Sequence, residues 1–307
     1  MTKVQILVCS KSRIDLLSHL LTILSRNYGK HSSLSVSILL VDASLEPYDS
    51  DSLQNISYPL VMTQVRCEKV GVAIARNTAL LNRASENDYF VFIDDDEFPS
   101  PGWLEALISH AQAGNFLAVG GPVHPKFPKN HSRTYLDQFF FHQMHSSKGE
   151  IISLATGNLL LSNRLFMSTD FMPYFDERLN FSGGEDAEFT QRIRKIYGDS
   201  ALGWKEDALV FESIHHERIS IVWLMKRAYS LGKSTTTLKK ILGEFPLIRI
   251  AAILFNISRS IHGLSKHVLQ GNWKYAIVYM LYMQVVAYGQ FMGLIGLKSY
   301  HYRDQSH

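Results

Sequence analysis

Between Tyr89 and Glu97 the chain reads Tyr-Phe-Val-Phe-Ile-Asp-Asp-Asp-Glu, an apolar run that stops in four adjacent carboxylates. Such a continuous aromatic and β-branched run predicts a strand buried on both faces of a parallel sheet, because helices cover both sides and leave no polar face. Ligands of these sheets bind beyond the carboxyl ends of the strands, so the acids stand where chemistry is expected. Four like charges in a row raise one another's pKa unless a cation or strong hydrogen-bond donors compensate. An oxygen-seeking divalent metal is the natural compensator; a solvated acidic turn is the ordinary alternative. An EF-hand starting at Asp94 is excluded, since its sixth position, which must be Gly, is Pro99. The acids also lack the nucleophile-then-Thr order of aspartyl-phosphate phosphatases.

A chain of 307 residues, 46% hydrophobic and 19% charged, is long enough for one large domain or a domain with an appendage. Its net charge of +3 hides an asymmetry. Met1 to Glu217 carries 19 Lys and Arg against 26 Asp and Glu, a net of −7, whereas Arg218 to His307 carries 12 against 2, a net of +10. A basic C-terminal third suits nucleic acid or an anionic membrane, and its apolar composition favours the membrane, with no nucleic-acid partner. The two cysteines, Cys9 and Cys67, lie in or beside expected strands, and the apolar start from Val4 to Cys9 is too short for a signal peptide. Both point to a reducing, cytoplasmic setting.

Taken in order, Lys3 to Ser10 predicts a strand, Leu16 to Leu24 an apolar-periodic helix, and Val36 to Val41 a second strand ending in Asp42. An acid there can accept hydrogen bonds from a base or ribose, or simply cap the following turn. Leu60 to Arg66 reads as a third strand. Gly71 to Asn82 reads as a loop feeding a helix, near whose start Arg76 and Asn77 could meet a diphosphate; a surface salt bridge is the plainer role for Arg76. No Gly-rich dinucleotide or P-loop fingerprint occurs in this half. Pro122 to Lys148 predicts a long loop with a helix around Tyr135 to Met144, and His142 and His145, spaced i, i+3, could share a ligand, although surface histidines are ordinary. Ala155 to Asn158 is a small-residue bend open to a ligand. Glu185 and Asp186 open a helix with Phe189, Ile193 and Ile196 on its apolar face, either as a capping box with Ser182 or as a general base held on a rigid helix start.

These pieces, as an ordered set, resemble family 2 glycosyltransferases of the nucleotide-sugar-binding α/β type. The resemblance rests on the strand from Lys3, Val41-Asp42, Gly71 through Arg76-Asn77, Asp94-Asp95-Asp96 followed by Pro-x-Pro-Gly-Trp-Leu at 99 to 104, Thr156-Gly157-Asn158, and Gly183-Gly184-Glu185-Asp186, and covers residues 3 to 235. It implies a GT-A fold, a Rossmann-like mixed sheet flanked by helices, over residues 1–235; the composition of residues 236–307 adds a helical membrane-associating extension. It further implies an inverting transfer of sugar from a nucleotide-diphosphate sugar, with UDP the leading nucleotide, to an acceptor hydroxyl in cell-surface polysaccharide or glycolipid assembly, helped by Mg²⁺ or Mn²⁺. Carried over by position, Asp94 and Asp96 are metal ligands, joined by His215 and His216, with Glu212 nearby as another oxygen donor. Ser10, Asp42, Arg76, Asn77, Asp94 and Asp95 are donor-binding residues; Gly157, Asn158 and Gly184 face the acceptor. Asp186, with Glu185, is the catalytic base, and Glu97 is structural. Ala43 departs from the family pattern, since many relatives have a second Asp there, which bears on base recognition. A catalytically silent nucleotide-sugar-binding scaffold is the alternative, and a nucleotidyltransferase ranks last because Ser10 to Asp15 lacks the Gly-rich basic loop.

Beyond Ile219 the apolar residues follow helical spacing with Lys and Arg interleaved, Phe245 to Ile257 is apolar with one Arg, and Tyr275 to Leu297 is 23 residues without a formal charge. That length can span a bilayer, but Gln284, Gln290, the tyrosines and Gly289, Gly293 and Gly296 weaken insertion, so a segment lying in the cytoplasmic membrane interface is favoured. The expected partners are a nucleotide-sugar donor, a glycan or lipid-linked acceptor and the inner face of the cell membrane, with oligomerisation open.

Overall fold

The computed structural model describes residues 1–29, 34–141, 151 and 153–295, so His142 and His145 lie outside the described residues. The chain forms two compact units: residues 1–126, 142–176 and 189–213 make the first, and residues 127–141, 177–188 and 214–307 the second.

The first unit begins β1 (Thr2–Ser10), α1 (Ile14–Tyr28), β2 (Leu34–Asp42), α2 (Ser50–Ser57), β3 (Val61–Arg66), α3 (Val72–Leu81), β4 (Tyr89–Asp94), β5 (Glu97–Pro99), α4 (Trp103–Gly114), β6 (Ala118–Gly120) and β7 (Val123–Lys126). It continues with β8 (Leu159–Ser162), most of α5 (Glu185–Tyr197), β9 (Leu202–Trp204) and β10 (Val210–Ser213). A seven-stranded sheet runs β3-β2-β1-β4-β8-β6-β9, and a small sheet runs β5-β10-β7. Strands β3, β2, β1 and β4 are parallel, while β8 runs antiparallel to both β4 and β6. Alternation along β1 explains the layering. Val4, Ile6 and Val8 enter a cluster with Leu17, Leu20, Leu21 and Leu24 of α1, whereas Leu7 enters one with Ala73, Ala79 and Leu80 of α3. Helices therefore cover both sheet faces, as the unbroken apolar run of β4 requires.

Several local expectations shift. The strand from Tyr89 stops at Asp94, and Glu97 starts a new strand after a turn. The α3 helix begins at Val72, which puts Arg76 one turn in rather than at its tip. The long loop after Pro122 contains β7 and, in the second unit, a 3-10 turn over Tyr135–Phe139 where a helix was expected. On α5, Phe189 and Ile193 are buried but Ile196 is exposed; Tyr197 packs on Phe171 instead. Ser182 makes no capping box, because Gly183 and Gly184 both have positive φ (+77° and +91°) and the Ser182 hydroxyl turns back to the Leu179 carbonyl.

The second unit is built on α6 (Ile221–Ile241), α7 (Pro246–Leu269) and α8 (Trp273–Leu294). Among the described residues, α7 and α8 are long and apolar enough to cross a membrane. Their surroundings differ. Val278, Tyr282, Met283 and Val286 of α8 are buried with Leu224 and Ala228 of α6. A Cβ added at Gly289 would strike the Tyr229 carbonyl, and one at Gly232 the Val286 carbonyl, so α6 and α8 meet backbone to backbone. One side of α8 thus packs the bundle, while Ile277, Leu281, Tyr288 and Phe291 on the same uncharged run are exposed.

Candidate active site

The parallel register places Ser10 opposite Asp42 and Cys9 opposite Asp94, so the ends of β1, β2 and β4 form one edge of the sheet. The acids divide into different environments there. The Asp94 side chain is 40% exposed and lies 3.4 Å from the Arg76 guanidinium, which is itself buried. Asp95 and Asp96 are buried and share Arg13, whose Nη1 reaches the Asp95 Oδ1 at 3.0 Å and the Asp96 Oδ2 at 2.9 Å. The Ser10 hydroxyl donates to Asp95 at 2.6 Å. Burial pushes the Asp95 carboxyl up to about 6, against the pull of Arg13 and the Ser10 hydrogen bond. Arg13 is held above its usual value: burial lowers it, but the three neighbouring aspartates outweigh that loss.

Glu97 lies behind this edge. Its Oε2 accepts the Asp94 amide at 3.0 Å, and burial, then the Asp94 charge, raise its pKa well above the usual carboxylate range. A Cβ at Gly157 would collide with the Glu97 carboxyl, so the glycine makes room for a buried acid. Glu212 pairs with Glu97 across β10 and β5. Burial also pushes the Cys9 thiol up to about 12, which makes it an inert packing group.

Three residues expected to touch ligands also hold the fold together. Asp42 is fully buried and accepts the Ser44 and Tyr48 amides at 2.9 Å each, Gln64 at 3.2 Å and Arg66 at 2.8 Å. Burial raises its pKa, but these donors outweigh it and the net shift is downward. Of its two sequence readings, the structure shows the turn cap, and Asp42 shapes the loop of residues 43–48. Asn77 exchanges hydrogen bonds with the Phe175 backbone at 3.0 and 2.7 Å, pinning that segment to α3. Asn158 is fully buried, accepting from the Trp103 indole at 2.8 Å and donating to the Pro122 and Ala208 carbonyls at 3.1 and 2.7 Å, which knots three segments together.

In the second unit, Glu185 and Asp186 do open α5, with Glu185 buried and Asp186 half-buried. The Asp186 Oδ1 accepts the Ala187 amide at 2.7 Å, and Gly184 lies 3.7 Å, measured from an added Cβ, from the Ser234 side chain. His215 and His216 are exposed beside a 3-10 turn, and His216 contacts Asn130 at 2.9 Å. Among the described residues no group of three His, Cys, Asp or Glu side chains could hold a metal. Asp94 and Asp96 nevertheless fit a hard divalent ion as part of a set that a ligand's oxygens complete, and a guanidinium already sits on the Asp96 carboxylate as a cation would.

Sequence reasoning missed Arg13, Tyr48 and Arg66. Arg13 carried a signal, a cation in the turn after a strand whose neighbour ends in acids. Tyr48, whose hydroxyl meets the Ser10 hydroxyl at 2.9 Å and accepts the Arg13 amide at 2.8 Å, carried none. A groove of about 680 Å³ between α1, α2 and the 43–49 loop includes Ser12, Ser44 and Tyr48 but none of the carboxylates of 94–97.

The pattern of the family described as Glycosyl transferase family 2 matches residues 24–176. The chain is 29% identical over 231 residues to the succinoglycan biosynthesis protein ExoM of Rhizobium meliloti, covering 74% of this chain and 72% of that protein. Among solved structures it resembles a mannosyltransferase of Pyrobaculum calidifontis in complex with GDP-Man and Mn²⁺, at a TM-score of 0.63 and 15% identity, covering 96% of this chain and 88% of the other. It also resembles S. aureus TarS 1-349 in complex with UDP-GlcNAc, at a TM-score of 0.52 and 15% identity, covering 92% of each chain. At such identity these two establish the fold alone. With the motif order, the sheet and its acid edge now in place, the chain belongs to glycosyltransferase family 2 and is a glycosyltransferase of the GT-A fold.

Proposed function

We propose that this enzyme transfers a sugar from a nucleotide-diphosphate sugar, with UDP the leading nucleotide, to a hydroxyl of a growing cell-surface polysaccharide or a lipid-linked glycan at the cytoplasmic face of the membrane. The observation that carries the reading is the convergence of Ser10, Arg13, Arg76 and Asp94–Asp96 on one carboxyl edge of the parallel strands. A relative concerned with succinoglycan biosynthesis supports the polysaccharide acceptor.

Asp94 and Asp96 are the residues that would hold Mg²⁺ or Mn²⁺, whose charge would neutralise the departing diphosphate. Arg76, buried and beside Asp94, offers a guanidinium to the same phosphates. Asp95 is tied to Ser10 and Arg13 and keeps the acid turn in register. Asp42 acts indirectly, by setting the 43–48 loop at the nucleotide end. Asp186, at the start of α5, takes the proton as the acceptor oxygen attacks, with Glu185 supporting that turn. An inverting outcome follows from such a single displacement.

A screen of UDP-, GDP- and dTDP-sugars with Mn²⁺ tests the reading. Asp96→Ala should lose nucleotide binding, whereas Asp186→Asn should bind donor normally and lose about 10²–10⁴-fold in turnover. Unchanged nucleotide release in both variants would refute the assignment.

A further inference from the structure

Arg13 is held at its backbone and open at its tip. Its amide donates to the Tyr48 hydroxyl at 2.8 Å, the neighbouring Ser12 amide donates to the Ser44 hydroxyl at 2.8 Å, and its carbonyl accepts the Leu17 amide at 3.0 Å, which starts α1. The loop that supplies Ser44 and Tyr48 is itself fixed by Asp42, so the pivot of the Arg13 side chain is set from the end of β2. The guanidinium is far less confined. The side chain is 44% exposed, against 4% and 8% for the carboxylates it bridges, and it makes both contacts through Nη1 alone. Its Nε and Nη2 meet no acceptor among the described residues, which leaves the rest of the guanidinium fork open to an anion. Arg76 is the contrast, since its side chain is buried beside Asp94.

We propose that Arg13 is a second donor-binding arginine, resting on Asp95 and Asp96 before the donor arrives and passing to its diphosphate when a divalent ion takes Asp96, so that metal and nucleoside diphosphate bind cooperatively. The proposal rests on the donor and metal reading above. A divalent ion and a guanidinium repel each other, so an ion arriving on the Asp96 carboxylate displaces Arg13 from it. A phosphate sharing that ion would stand beside the displaced guanidinium, whose planar fork matches two phosphate oxygens. Arg13 reaches this partner by rotating an exposed side chain on a fixed backbone, whereas Asp95 is buried and stays tied to the Ser10 hydroxyl. Either ligand alone has to break the Arg13 bridge, while the two together break it once. That is a positive coupling between metal and diphosphate, equal in both directions.

Two titrations of the full-length protein test the coupling without any sugar transfer: Mn²⁺ binding read by EPR with and without nucleoside diphosphate, and diphosphate binding read by calorimetry with and without saturating Mn²⁺. The probe is whichever of UDP, GDP and dTDP wild type binds. In wild type each ligand should tighten the other by about 5–150-fold. Arg13→Gln should bind Mn²⁺ alone more tightly, bind the diphosphate in saturating Mn²⁺ at least about tenfold more weakly, and lose at least about fivefold of the coupling. These shifts have opposite signs, whereas a merely disordered site weakens both ligands. Arg13→Lys, which keeps the charge without the fork, should recover part of the diphosphate affinity. Equal diphosphate affinity in wild type and Arg13→Gln, Mn²⁺ and diphosphate weakened together, or Arg13→Lys no better than Arg13→Gln would each overturn the proposal. If wild type binds none of the three diphosphates in Mn²⁺, the donor reading itself fails; if it binds one and Arg13→Gln binds it equally well, only the role of Arg13 does.

Discussion

Replacing Arg13 by Gln removes the cation that bridges Asp95 and Asp96, whose side chains are only 4% and 8% exposed. Stripping the partner from a buried ion pair costs about 3–5 kcal/mol. The Arg13 side chain is 44% exposed, so water already screens much of that attraction and the loss should fall to about 1–2 kcal/mol. A divalent ion on the same carboxylates replaces the missing charge without having to compete with a guanidinium. Each tenfold gain in metal affinity adds about 1.4 kcal/mol to the metal-bound form. In urea titrations, Arg13→Gln should therefore be less stable than wild type in EDTA and should recover most of the difference in saturating Mn²⁺. Manganese affinity, read by EPR in the absence of any nucleotide, should be higher in the variant. Equal stability in EDTA, or the same Mn²⁺ increment in both proteins, would refute the idea that Arg13 stands in for a metal.

Asn158→Ala strands the Trp103 indole and the Pro122 and Ala208 carbonyls, and at about 1–3 kcal/mol for each buried unsatisfied group the variant should lose several kcal/mol in urea unfolding. Any residual folded protein should keep its affinity for acceptor, which separates a structural knot from a binding contact. Gly289→Ala drives a methyl into the Tyr229 carbonyl, and because backbone cannot move aside the thermal transition should fall by the equivalent of about 1–3 kcal/mol. Because the folded Asp42 carboxyl lies below its usual value, its stabilising contribution is complete above about pH 4 and drains away as pH falls through the lower folded value. The stability difference between wild type and Asp42→Asn should accordingly shrink on acidification below about pH 4, and a difference independent of pH there would count against the Arg66 and amide network.

The sheet was legible because its signals are local: the strands at 2–10, 34–42 and 89–94 announce themselves by unbroken apolar runs, and their acids fall at chain positions where such strands end. The short strands β9 and β10 were not, since three or four residues carry no periodicity and are strands only because neighbours accept their hydrogen bonds. Site residues split along the same line. Asp94–Asp96 could be picked out from composition alone, but whether a polar side chain faces a ligand or the fold depends on partners distant in sequence. Asn77 meets Phe175, 98 positions away, and Asn158 meets Trp103, 55 away.

The amino-acid sequence by itself determined that this chain builds an α/β sheet whose parallel strands carry an acidic carboxyl edge, followed by basic apolar helices. Those properties are set by side-chain pattern and charge along contiguous residues. Tertiary structure alone decided which acids are sheltered and which are open, that Arg13 closes over two of them, and that α8 packs one side against α6 while α7 turns an apolar stripe outward. Burial and pairing are properties of what surrounds a residue, and no stretch of sequence contains its own surroundings.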